Sequence, residues 1–144
     1  MKPLRKKTFI IFAAAAIVLV GIIKLFDPML RAKAFVAVYG DRIETACADR
    51  LVEPDGIPAV DIDLYHGRYE HEMVEFMLGG RGLVPSSTYF GCYYSPDDVP
   101  LAFQNMDVKL TQNGHDYWVW TEVGDNRGAT AKIKDKWYYF EASF

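Results

Sequence analysis

The sequence predicts an α+β protein: an N-terminal membrane-spanning helix, then a long amphipathic helix packed on an antiparallel β-meander. Three observations carry that expectation. Residues 8 to 23 hold no charge and follow a cluster of basic side chains. Apolar residues between Leu25 and Ala46 recur in alternating steps of four and three, the spacing of one helix face. From Ser86 onward 13 of 59 residues are aromatic, an enrichment expected of strands.

Lys2, Arg5, Lys6 and Lys7 make a short basic terminus over residues 1 to 7. Thr8 to Phe26 is apolar apart from Lys24, whose long stem lets its ammonium reach the headgroup layer. As a helix this stretch spans roughly 28 Å, close to the hydrocarbon thickness of a bilayer. A cleaved secretory signal needs a small-x-small site soon after its apolar run. Here Ala13 to Ala16 lie inside the run, and Ala32-Lys33-Ala34 comes only after Lys24, Asp27 and Arg31. Residues 8 to 26 are therefore expected to be an uncleaved transmembrane signal anchor in contact with membrane lipid. The basic terminus stays in the cytoplasm, and residues 27 to 144 form an extracytoplasmic α+β domain, periplasmic or extracellular. The lysine-rich, short-anchored terminus points to a bacterial inner (cell) membrane.

Asp27-Pro28 reads as an N-cap followed by proline at the first helical position. The stripe Leu25, Met29, Ala32, Val36, Tyr39, Ile43, Ala46 and Arg50, flanked by Cys47, predicts a helix to about Val52, with Gly40-Asp41 as a place where it could break. Glu53-Pro54-Asp55-Gly56 ends it. Within residues 57 to 66, Val60, Ile62 and Leu64 alternate with Asp61 and Asp63 and suit a short strand. Tyr69, Met73, Phe76 and Met77 favour a second helix, closed by Gly79-Gly80.

Strands are expected over 88–94, 99–104, 106–112, 115–123, 129–134 and 137–143, separated by turn signals at Ser95 to Asp98, Asn113-Gly114, Gly124 to Gly128 and Asp135-Lys136. Two-residue loops at Asn113-Gly114 and Asp135-Lys136 would pair Gln112 with His115 and Lys134 with Trp137. Because side chains alternate, those registers gather Val108, Leu110, Tyr117 and Val119, and Ala131, Ile133, Tyr138 and Phe140, on one apolar face against the helix. They put Trp118, Trp120, Trp137 and Tyr139 with Lys109, Lys132 and Lys134 on the other. That second face is the candidate partner-binding platform, since Trp and Tyr dominate binding hot spots. Cross-strand packing of each Trp beneath a lysine stem is the structural alternative.

Cys47 and Cys92 are the only cysteines, and in an oxidising compartment an isolated pair is most simply a disulfide. Residues 27 to 144 carry 11 basic and 19 acidic side chains, net −8, which repels phosphate backbones, so no nucleic-acid partner is expected. His66, His71, Glu72 and Glu75 come nearest to a metal set, but Glu75 stands where a zincin has its second histidine. Asp61 with Asp63 and Asp97 with Asp98 lack calcium-loop spacing. Gly79-Gly80-Arg81-Gly82 lacks the lysine of a phosphate loop, and no serine has the nucleophile-elbow context. No catalytic residue, metal or cofactor is expected.

The order of apolar segment, amphipathic helix and sheet resembles the architecture of type IV pilins and pseudopilins, and that resemblance implies an assembly subunit. The family's processing signature is not met. Thr8 replaces the glycine before Phe9, and Ala13 stands in the glutamate's place. The expected function is a single-pass membrane-anchored envelope protein, a non-catalytic binding or assembly component with an envelope protein or glycan as partner. The alternative is a pilin-like subunit, or a small envelope hydrolase or its inhibitor.

Overall fold

A computed structural model describes residues 27–48, 60–70, 72–83 and 86–144. The expected membrane anchor, residues 8 to 26, lies outside them. Among the described residues no helix is long and apolar enough to cross a membrane. The architecture is α+β: one helix, α1 (Pro28–Ala48), packs on an eight-stranded antiparallel sheet. The strands are β1 (Val60–Ile62), β2 (Tyr65–Glu70), β3 (Met73–Leu83), β4 (Ser86–Tyr94), β5 (Thr111–Gln112), β6 (Tyr117–Thr121), β7 (Arg127–Lys134) and β8 (Trp137–Ser143). Their spatial order is β1-β2-β3-β4-β8-β7-β6-β5. The expected single meander is thus two, β1 to β4 and β5 to β8, joined where β4 pairs with β8.

α1 begins as its capping residues dictate: Asp27 Oδ1 accepts from the amides of Met29 at 2.9 Å and Leu30 at 3.3 Å. The helix runs unbroken through Gly40-Asp41. Gly40 is buried within the helix, where a Cβ would lie 3.2 Å from the flexible Lys134 ammonium. Of the stripe read from sequence, Ala32, Val36 and Ile43 are buried against the sheet with the flanking Cys47, and Met29, Tyr39 and Ala46 are partly buried; Phe35, outside that stripe, is buried with them.

The segment expected to be a second helix is instead β2 and β3. Met73, Val74, Glu75 and Phe76 are all buried, because β3 is covered on both faces: Val74 and Phe76 meet α1, and Met73 faces the other side. A strand buried on both faces shows no alternation, so its apolar run imitates a helix stripe. Of the strand expected over 106–112 only Thr111–Gln112 pairs, and 99–104 holds a 3₁₀ turn, Phe103–Asn105.

That 95–110 segment crosses the face opposite α1 and seals a second core of Met73, Tyr93, Phe103, Trp120, Tyr138 and Phe140. Two polar clusters pin it. The buried Tyr93 hydroxyl accepts from Leu101 N at 2.7 Å and lies 2.8 Å from Thr130 Oγ1. Asp98 accepts from Lys132 Nζ at 2.6 Å, from Lys136 N at 2.8 Å and from the Tyr138 hydroxyl at 3.0 Å. The hydrogen bond from Lys132, more than the neighbouring donors, holds the Asp98 carboxyl below its ordinary value. Because the folded pKa is depressed, the stabilisation is complete above the unfolded value and is lost as pH falls through the folded one. An Asp98→Asn variant should be less stable than wild type at pH 7 and converge with it in acid titrations below about pH 4. A gap that stays constant down the acid limb would exclude the carboxylate as the latch.

Both cysteines are buried thiols in the α1-side core, and no disulfide joins them. This differs from the expected Cys47–Cys92 bond, although the sheet does bring Cys92 to the helix face that carries Cys47. Burial pushes the Cys92 thiol well up, so it is protonated and packs as a small apolar group.

Candidate functional site

The expected Trp platform is not one surface. Trp118, Trp120 and Lys132 point toward the 95–110 segment, whereas Trp137 and Tyr139 point toward α1. Trp120 is 3% exposed, Trp137 0% and Tyr139 6%, so their rings are core rather than platform. Trp118 is half-buried, edge-on to Tyr138 with centroids 6.2 Å apart. Lys109 is exposed on the crossing segment. Lys132 binds Asp98, and Lys134 reaches back to α1, 3.2 Å from Glu44 and 3.4 Å from Asp41.

Two turns account for the change. The Asp135-Lys136 turn does pair Lys134 with Trp137, but the register shifts between Lys132 and Lys134, so Ala131 faces Tyr139 and Thr130 faces Phe140. One extra residue in a strand exchanges the faces of everything beyond it. At the other hairpin, Asn113 N bonds to Tyr117 O at 2.9 Å, and the loop is Gly114-His115-Asp116 rather than Asn113-Gly114. Positive φ at Gly114 and Asp116 builds that longer turn.

What the sheet does offer is the part of its helix face that α1 leaves bare. A helix with its side chains is about 10 Å wide, whereas eight strands at about 4.8 Å spacing span roughly 34 Å. α1 lies over β1, β3, β4 and β8. Beyond Tyr139 the same face continues over β7 and β6 as an open groove of about 390 Å³. Its floor includes Val119 and Ala129, which are cross-strand partners. Tyr117, Thr121, Arg127, Glu141 and Ser143 line the rest.

The polar atoms of the groove are unequally committed. Glu141 accepts from the Tyr139 hydroxyl at 2.7 Å and from Arg81 Nη2 at 3.1 Å. Burial first, then Glu141, raises the Tyr139 pKa, so its hydroxyl remains a donor. Arg127 is exposed and makes no ion pair among the described residues. The groove therefore presents an apolar trough with one cationic group that has no carboxylate of its own.

Sequence reading missed this site because it treated the apolar face as wholly covered. It did place Tyr117 and Val119 there, and the width of one helix against the strand count was the available signal. Of the metal candidates, His66 lies 2.7 Å from Asp61 at the surface, and His71 is outside the described residues. Glu75 is 1% exposed and accepts from Gln104 N at 2.9 Å, holding the crossing segment down. Comparison with protein-family models, curated proteins and solved structures finds no significant match to the chain.

Proposed function

We propose that the chain is a single-pass membrane-anchored envelope protein, anchored through residues 8 to 26, whose extracytoplasmic domain is a non-catalytic binding component. It holds a segment of a partner envelope protein in the groove over β6, β7 and β8. The observation that carries this reading is the bare half of the helix face, an apolar trough beside an α-helix with Arg127 at its rim. The segment that fits has an aliphatic face for Val119 and Ala129 and a carboxylate for Arg127. A polypeptide is favoured over a glycan because sugar recognition stacks on exposed aromatic faces, and of the groove's rings Tyr139 and Trp120 are buried, leaving Tyr117 alone exposed.

The test is photo-crosslinking in intact membranes with a crosslinker placed at Thr121 or Ser143, and at Lys109 as a control on the other face. The expected result is one partner captured from both groove positions, crosslinked within an acidic-amphipathic segment. Arg127→Glu should reduce its capture about tenfold, the equivalent of roughly 1.4 kcal/mol. Capture of the same partner equally from Lys109, or capture indifferent to Arg127→Glu, would overturn the reading, as would a glycan in place of a polypeptide.

A further inference from the structure

The outward face of α1 carries charged residues, Lys33, Asp41 and Arg42 among them, but also an apolar stripe where a helix covering a sheet is normally polar. Val38 is 66% exposed and Leu30 42%, with exposed Ala34 between them one turn from each. Across a cleft of about 280 Å³ walled by Phe35, Tyr39, Tyr65 and Leu78, the turn between β1 and β2 holds up Leu64, 91% exposed. Knobs and hole thus lie on one patch, the requirement for a surface that pairs with itself across a two-fold axis. Two of the charges beside it have partners within the chain. Arg31 donates to Leu78 O at 2.7 Å and stands over the Phe90 ring, while Arg42 pairs with Asp63 at 3.7 Å.

The chain before α1 selects the occupant. In the sequence α1 is preceded, across the Asp27-Pro28 cap, by the apolar run of residues 8 to 26. Two copies anchored through that run in one bilayer share an orientation, with both α1 helices starting at the membrane. A two-fold axis along the membrane normal then sets the two outward stripes against each other in parallel, and confinement to the membrane raises their effective concentration. We propose that the outward face of α1 is a homodimer interface, in which Val38 of each copy enters the cleft between α1 and β2 of the other. This rests on the anchoring reading above and is independent of the groove.

The experiment uses the full chain in native membranes. Single cysteines at Val38 or Ala34, with a control cysteine at Lys109, are treated with a short bismaleimide, the native thiols being buried. The expected result is efficient dimer crosslinking from Val38→Cys and Ala34→Cys and little from Lys109→Cys. Adding Leu64→Asp to either reporter should cut the crosslinked fraction at least about tenfold, as loss of roughly 1.4 kcal/mol would, without shifting the thermal melt of the domain. Equal crosslinking from Lys109→Cys, none from the stripe, or indifference to Leu64→Asp would overturn the dimer. Carbonate extraction of the same membranes reads anchoring separately. A chain that stays in the membrane without stripe crosslinks sinks the dimer alone. A released chain that still crosslinks sinks the anchor alone, and a released chain without crosslinks sinks both.

Discussion

Replacing Gly91 by alanine should be the most destabilising single-methyl change in the domain, costing about 3 kcal/mol. Gly91 lies in β4 between β3 and β8, where the two meanders meet. A Cβ at this position would sit 2.0 Å from the carbonyl oxygen of Phe76 and 2.8 Å from the Phe140 ring. The first of those atoms is backbone, so no rotamer change relieves the clash, and β3 must move away from β4. At about 4 °C per kcal/mol for a domain of this size, the melting temperature should fall by roughly 12 °C. Gly124→Ala is the contrast, because Gly124 has φ +91 but nothing within 4 Å, leaving only backbone strain of about 1 kcal/mol. Urea melts of the two variants decide the matter. A Gly91→Ala protein as stable as Gly124→Ala would mean that the central strands are not packed this closely.

Trp137→Ala should cost about 3–5 kcal/mol, the range for emptying a buried aromatic site. The side chain is fully buried, 5.5 Å from the Tyr94 ring and 6.4 Å from that of Phe76, and its Nε1 donates to Glu44 Oε1 at 2.7 Å. It is the bolt between β8 and the C-terminal half of α1. Trp137→Phe should recover most of the packing while still giving up the Glu44 hydrogen bond, worth about 1 kcal/mol. Trp118→Ala, at a half-buried position, should cost about 1–2 kcal/mol. Chemical denaturation of the three variants gives the ranking, and equal losses at Trp118 and Trp137 would contradict their placement. Any loss of partner capture in Trp137→Ala would then report unfolding rather than a lost contact.

The helix and its buried stripe were legible because α1 has one wet side and a clean cap, so period and punctuation agree from Asp27 to Cys47. The last strand was legible too, bounded by a tight turn at Asp135-Lys136. β3 was not, since burial on both faces erases the alternation that identifies a strand. The faces of the C-terminal strands were inverted by one residue around Ile133, a shift that hydrophobic pattern does not encode. The groove was visible only in part. Tyr117 and Val119 were read as facing the helix side, but Arg127 and Glu141 join them through a register known only from the folded sheet.

β8 comes last among the strands in sequence, yet it occupies the middle of the sheet. Until it is inserted, β4 and β7 each show an open edge, and that of β4 is rich in aromatic side chains, the kind of template that recruits other chains. A nascent chain therefore passes through a sticky interval in which two half-sheets exist without their keystone. If the N-terminal run is held in a bilayer, tethering during that interval keeps neighbouring half-sheets apart or aligned. The strand that closes the sheet is thus also the last to be synthesised, so the two half-sheets are complete before the strand that joins them.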